Sequence, residues 1–355
     1  MEFIKPGTHI DFIGRRKIAY AFSLLMIVAT IALLVWRGGP NYGVDFSGGL
    51  LIQVKLDQKR TPAEIKTALE PLGLQDSVVQ EFGEEAELEY LIRVRKMDLD
   101  LSGLSEKVQS ALEAQFGTPA DIRRVEMVGP KVGEDLRQKA LFALFYTILI
   151  IAIYISGRFE LKWLMSGVMA VTLIFIVYVA SILGVSVTWL IILALLVSLG
   201  MCWFLNLKYA LGAIIALIHD VAITIGAFAL TDREISLAII AAILTIAGYS
   251  LNDTIIVFDR IRENLRRFKR RPLGETINTS INETLSRTIL TSSTTLVVVV
   301  ALFVLGGGVI HDFAFALLVG IGVGTYSSIF VASPVLLLWE GRARGKTKGA
   351  QVQSK

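Results

Sequence analysis

The sequence predicts a polytopic α-helical membrane protein of about eight spans that carries one α+β domain outside the membrane. Three observations carry that prediction. The 355 residues are 54% hydrophobic and only 19% charged, with a mean hydropathy of +0.63, a balance typical of membrane proteins. Apolar runs of roughly 20 residues, enough to cross a hydrocarbon core at ~1.5 Å per residue, recur along the chain. One polar stretch of roughly 100 residues interrupts them with alternating strand and helix patterns.

Taken in order, the candidate spans are 17–36, 140–156, 163–183, 187–205, 210–230, 235–258, 288–306 and 313–339. The first lacks both a short cationic start and a small-residue cleavage site, so it reads as a retained anchor. Basic residues concentrate at Lys5, Arg15, Arg16 and Lys17, then at Arg260, Arg262, Arg266, Arg267, Lys269, Arg270 and Arg271, and in the tail at Arg342, Arg344, Lys346 and Lys348. Eight crossings put all three groups on one side, which the positive-inside rule assigns to the cytoplasm. The opposite loops, 231–234 and 307–312, contribute only Arg233. This placement accounts for the net charge of +4 without a nucleic-acid partner. The single cysteine, Cys202, lies in an apolar run and forms no internal disulfide.

Between the first two spans, "GLLIQVKL", "SVVQEFG", "EYLIRVRK" and "DIRRVEMVG" read as strands. "TPAEIKTALEPLG" opens like a capped helix, and "LSGLSEKVQSALEAQFG" is amphipathic and stops at Gly117. The order β-α-β-β-α-β is that of a ferredoxin-like domain, placed outside the cytoplasm by the threading. The predicted organisation is an N-terminus and first span over 1–37, the external domain over 38–135, a second span over 136–160, an apolar hairpin over 161–206, a four-helix bundle over 207–340 and a basic cytoplasmic tail over 341–355.

No nucleophile with a base, metal-spaced cluster or phosphate loop appears, so neither enzymatic catalysis nor a metal or cofactor is expected. The acidic stretch Glu81 to Glu89 reads as a solvated loop, and "SGG" at 47–49 lacks the context of a nucleotide cradle. Ionisable groups in the membrane are different, because each costs about 2.5–3.5 kcal/mol at a span centre. Asp253 lies six residues before Asp259, hence ~9 Å deeper along a helix. It is either an interfacial carboxylate reaching water through a local defect or a desolvated acid that alternates between protonated and charged forms. Asn252 adjoins it.

Arg287 precedes a polar face unusual for a span, with Thr291, Thr294 and Thr295 on one side of the helix. This is a snorkelling arginine with helix-gluing hydroxyls, or an arginine that pairs with ionised Asp253 while the hydroxyls support a water file. His219 and Asp220, halfway along the fifth span, point about 100° apart on a helix and serve either packing or a relay. Gly320, Gly324 and Ser328 recur every four residues, a stripe that lets helices approach closely.

"NYGVDFSGGLLIQV", "RFELK", "ALGAIIALIHDV", "YSLNDTIIVFDRIRENLR" and "SRTILTSSTT" together resemble the SecF branch of the SecD/SecF family of the bacterial protein-export machinery, within the wider RND superfamily. The resemblance implies six spans with a periplasmic domain after the first. It implies proton-motive-force-driven completion of preprotein translocation across the inner membrane, with SecD, the SecYEG channel and YajC as partners alongside membrane lipid. Carried over by position, Asp253 matches the family's membrane acid, Arg287 its partner, and Gly43, Asp45, Phe46, Gly48 and Gly49 its opening periplasmic signature.

The chain departs from the family in its hairpin. Leu161-Lys162 recurs as Leu207-Lys208, and removing one copy together with the residues between, about 46 in all, restores the family's continuous pattern. Trp163, Trp189 and Trp203 lie near the hairpin's ends, where interfacial anchors belong. Two other functions stay open: a non-conducting structural subunit of the same complex, and half of an RND-type exporter of small molecules.

Overall fold

The computed structural model describes residues 9–74, 77–82, 88–94 and 103–339. The basic tail, Lys5 and most of the acidic stretch after Glu81 lie outside the described residues. Helix α1 (Arg16–Arg37) is the apolar first span and stops where Gly38 turns left-handed, letting the Gly39 N–H reach the Leu34 carbonyl at 2.8 Å. A single helical turn, α2 (Val44–Ser47), leads into the external domain.

That domain runs β1 (Gly49–Leu56), α3 (Pro62–Leu69), β2 (Val78–Phe82), β3 (Glu89–Val94), α4 (Leu104–Phe116) and β4 (Ala120–Val128), the predicted order. The sheet is antiparallel throughout, ordered β2-β3-β1-β4, with Ile52 of β1 opposite both Ile92 and Val125. Strand alternation puts Leu50, Ile52, Val54 and Leu56 on one face, where they bury against Ile65, Leu69, Val108 and Leu112 of the two helices. Helix α3 starts at Thr61, whose hydroxyl accepts from the Glu64 N–H while the Glu64 carboxylate accepts from the Thr61 N–H, with Pro62 in the first turn.

The membrane bundle consists of α1, α5 (Pro130–Ile155), α6 (Trp163–Ile182), α7 (Val187–Phe204), α8 (Lys208–Leu230), α9 (Leu237–Arg267), α10 (Leu273–Leu305) and α11 (Gly308–Ser327). Among the described residues, seven helices are long and apolar enough to cross a membrane, and the second arm of the hairpin is a shorter apolar helix. Two helices begin far before their expected spans. α5 starts at Pro130, and its polar first turns stand outside the apolar segment. Gly133 there lets it approach α2 so closely that a Cβ would lie 3.0 Å from the Gly48 N. α10 starts at Leu273, because "ETINTSINETLS" is amphipathic: Ile277, Ile281 and Leu285 bury while Asn278 and Asn282 bind backbone groups of residues 10–13. Arg287 therefore lies within a helix rather than at its start.

The hairpin's two ends meet. Lys162 Nζ donates to the carbonyls of Leu205 (3.0 Å) and Asn206 (3.1 Å), and the Tyr209 N–H donates to Glu160 Oε1 at 3.0 Å. The start of α8 thus sits against the end of α5, and the Phe159 and Tyr209 rings stack. Trp163 and Trp189 are exposed and Trp203 is half-buried.

Two apolar clusters fill the bundle. One, at the end of the bundle away from the α+β domain, holds Phe258, Ile261, Tyr209, Leu285 and Leu336; the other, near that domain, holds Phe46, Phe228, Ile239, Ile246 and Val299. Between them on α8 to α11 lies a layer of buried polar groups: His219, Asp220, Ser250, Asp253, Thr254, Thr288, Ser292, Ser327 and Ser328. The stripe expected on the last span packs α11 against α9. A Cβ on Gly320 would collide with Ile246, one on Gly324 would lie 2.9 Å from the Ser250 Cβ, and Ser328 shares a 2.9 Å hydrogen bond with Thr254.

Candidate functional site

Asp253 is 1% exposed. Helix α9 carries it inward because Ile246, Ser250, Asp253, Val257 and Ile261 form one buried face at helical spacing. Its Oδ2 accepts from the Ser292 hydroxyl at 3.2 Å, and Ser292 shares a 2.8 Å hydrogen bond with Thr325 of α11. Its Oδ1 is buried without a hydrogen-bond partner. A buried carboxylate oxygen left this way is costly.

Arg287 is not paired with it. No ion pair joins the two; Arg287 instead lines a cavity of about 550 Å³ together with Asn252, Tyr154, Thr284 and Glu283. Ion pairs Arg158–Asp259 (2.7 Å) and Arg260–Glu283 (2.6 Å) flank this cavity toward the C-terminal end of α9. The cavity reaches Asn252, the immediate neighbour of Asp253.

The threonine face does not converge on the acid. The Thr291 hydroxyl donates to the carbonyls of Arg287 and Thr288, Thr294 to those of Leu290 and Thr291, and Thr295 to that of Thr291. Thr295 also accepts from the Tyr249 hydroxyl at 3.0 Å. These groups satisfy their own helix, as hydroxyls in membrane helices commonly do. Ser292 and Thr325 fill the role instead.

His219 and Asp220 do meet. Asp220, fully buried, accepts at Oδ2 from Ser250 (2.6 Å) and Ser327 (2.8 Å), and its Oδ1 lies 2.9 Å from His219 Nδ1. His219 Nε2 lies 3.1 Å from the Ser23 hydroxyl of α1. The pair therefore ties together four helices, with Ser250 one turn before Asp253 on α9.

The opening signature is a joint between the domain and the bundle. Gly48 (φ +69°) has no room for a side chain: a Cβ would lie 2.9 Å from the Pro130 Cα. The Gly43 N–H donates to the Ile235 carbonyl at 3.0 Å, the Ile235 N–H donates to the Asn41 carbonyl at 2.7 Å, and Tyr42 and Ile235 form a parallel bridge. Asp45 Oδ2 accepts from the Leu237 N–H at 2.8 Å, which caps the first turn of α9. Phe46 enters the external apolar cluster. Arg93, 1% exposed, pairs with Glu234, and Arg37 pairs with Asp232, so the α8–α9 loop is gripped from both the sheet and α1.

Comparison with known proteins places these features in a family. The profile described as protein export membrane protein SecD/SecF, C-terminal, matches residues 107–203 and 201–342, and the SecD/SecF GG motif matches 38–59. A protein translocase subunit SecF from Magnetococcus marinus is 44% identical over 98% of this chain and 97% of its own length. One from Vibrio alginolyticus is 39% identical over 95% and 91%. The crystal structure of SecDF, a translocon-associated membrane protein from Thermus thermophilus, superposes with a TM-score of 0.69 at 31% identity. It covers 94% of this chain, which spans 39% of that longer chain.

Proposed function

From the premise that the chain belongs to the SecD/SecF family of protein-export membrane proteins and is a SecF-type subunit of Sec protein export, we propose that it uses the proton-motive force to promote translocation. In this reading it sits in the bacterial inner membrane with both termini cytoplasmic and the α+β domain periplasmic. It works with SecD, the SecYEG channel and YajC on a translocating preprotein.

The observation that carries the reading is Asp253, sealed between two apolar clusters with one carboxylate oxygen unpartnered and a cytoplasmic cavity ending beside it. A proton that reaches Asp253 neutralises it. When the proton leaves, the charged carboxylate draws Arg287 out of the cavity, and α10 shifts against α9. Each proton moving through 100 mV supplies about 2.3 kcal/mol, enough for a few steps to bias a conformational cycle. The joint at Asp45 and Glu234 carries the shift of α9 to the external domain. The hairpin over 161–206 is an addition to the family pattern that faces lipid.

Asp253→Asn tests the reading. Potential-driven export by membranes carrying the variant falls while co-purification with SecD is unchanged. Undiminished export would leave a purely structural subunit.

A further inference from the structure

The hydrogen bonds around His219 can be followed donor by donor, and they leave one proton to be placed. The Tyr326 hydroxyl donates its only proton to the Ala19 carbonyl of α1 at 2.8 Å. The 3.1 Å contact between Tyr326 and Ser23 then requires Ser23 to donate. With the Ser23 proton committed, the 3.1 Å contact between Ser23 and His219 Nε2 requires Nε2 to carry hydrogen and donate. At the other end, Ser250 and Ser327 both donate to Asp220 Oδ2. The 2.9 Å contact between His219 Nδ1 and Asp220 Oδ1 needs one further proton. Whether that proton resides on nitrogen or oxygen, the pair as a whole is neutral.

We infer that the His219–Asp220 pair is a second proton-binding site of this subunit, distinct from Asp253, and that its single shared proton clasps α1 to the bundle. The occupancy matters because every bond in the chain depends on it. If the shared proton leaves, Nδ1 keeps hydrogen for Asp220 and Nε2 becomes an acceptor. Ser23 must turn to donate to it, and Tyr326 can then serve either Ser23 or Ala19 but not both. One bond to α1 is lost. If a second proton arrives, either Asp220 Oδ2 must donate where it now accepts, which displaces Ser250 or Ser327, or Oδ1 and Nδ1 both carry hydrogen and their contact is lost. The network is complete at one occupancy only.

The surroundings favour such a role. His219 and Asp220 are 2% and 0% exposed, and Ser23 is 7% exposed. Of the nearby titratable groups on the helices packed around the pair, Tyr326 of α11 stacks on the His219 ring and Asp253 of α9 lies one turn beyond Ser250, whereas Tyr249 of α9 turns its hydroxyl to Thr291 and Thr295 of α10 and Tyr20 of α1 is exposed. α1 turns Ser23 and the Ala19 carbonyl toward the pair at this level, and Cys202 of α7 lies in the cluster at the end of the bundle away from the α+β domain. The same face of α1 packs Thr30 against Gly226 of α8, while Leu24, Leu25 and Ile31 point outward, so the chain of polar bonds lies on the one face by which α1 meets the bundle.

The inference rests on the subunit's being proton-coupled, and its test separates the two ideas. Spin labels at Trp36→Cys and Ile310→Cys, both exposed near the external ends of α1 and α11, report the separation of the helices by pulsed electron resonance in the SecD complex, with Cys202→Ala as background. The expected result is an inter-label distance that shifts with pH in the otherwise wild-type protein, does not shift in Asp220→Asn or His219→Gln, and still shifts in Asp253→Asn. Two variants are included because either one alone could fail to assemble. A distance insensitive to pH in the parent, or a shift that persists in both clasp variants, overturns the inference. A shift lost in Asp253→Asn as well makes the clasp a dependant of the Asp253 site and overturns its independence. Export unaffected by Asp253→Asn would instead remove the broader reading and leave the clasp result standing.

Discussion

Asp253 and Arg287 sit on neighbouring helices with no ion pair between them: the carboxylate is turned to Ser292 at 3.2 Å, whereas the guanidinium lines the cavity beside Asn252. Ser292 is thus the acid's one side-chain donor on α10, and its hydroxyl reaches Thr325 as well. Ser292→Ala is expected to lower potential-driven export severalfold without reducing the amount of complex, whereas Thr294→Ala, whose hydroxyl bonds only its own helix, leaves export at the parent level. Export assays in inverted membrane vesicles compare the two. Equal effects would show that Ser292 is only one hydroxyl among several.

Asp45 caps α9 from the domain side. Removing a capping carboxylate costs about 1 kcal/mol, so Asp45→Ala should speed hydrogen exchange of the amides at residues 237–240 roughly fivefold, while Asp45→Asn, which retains an acceptor oxygen, stays close to the parent. Exchange followed by mass spectrometry on the intact complex reads both.

The capping box of α3 gives a pH dependence of known sign. The Thr61 N–H and hydroxyl, 2.7 and 2.8 Å from Glu64 Oε2, hold the Glu64 carboxyl below its ordinary value of 4.5. A depressed folded value means the contribution is complete above the ordinary value and is lost as pH falls through the depressed one. Protection of the amides at the start of α3, corrected for intrinsic exchange, should therefore fall at acid pH in the parent. In Glu64→Gln the same region should show no such step.

The meeting of Glu160 with Tyr209 and of Lys162 with Asn206 makes the hairpin removable. Deleting residues 163–208, which joins Lys162 to Tyr209, is expected to leave the orientation of α8 to α11 and the co-purification of SecD intact, because an even number of crossings is lost. Cysteine accessibility at the α8–α9 loop from the periplasmic side tests the orientation. An inverted loop or loss of SecD would show that α6 and α7 are integral to the bundle.

Elements that bury a whole face were legible in the sequence. The spans announce themselves by length, and the order of strands and helices in the domain follows from period-two and period-3.6 patterns with clear caps at Thr61 and Gly117. Asp253 and the His219–Asp220 pair stood out because charge in an apolar run is costly. The partners of these groups did not stand out. Thr291, Thr294, Ser292 and Thr325 are chemically similar hydroxyls on membrane helices, and only the rotation of α10 and α11 decides which of them crosses to another helix. That His219 and Asp220 meet despite facing about 100° apart likewise depends on side-chain reach, which spacing alone does not encode. The early start of α10 was hidden because its first turns are polar, and composition marks the membrane boundary rather than the helix boundary. The role of Asp45 was invisible locally, since its partner at Leu237 is 192 residues away.

The central claim is that protons pass by way of Asp253. Ion currents across bilayers containing the purified complex with SecD, recorded under a pH gradient at constant sodium, test it most directly. The account predicts a current that follows the proton gradient in the parent, is abolished in Asp253→Asn, and is unchanged when sodium is replaced by a large cation. A current of undiminished size in Asp253→Asn, or one that follows sodium instead, would contradict it.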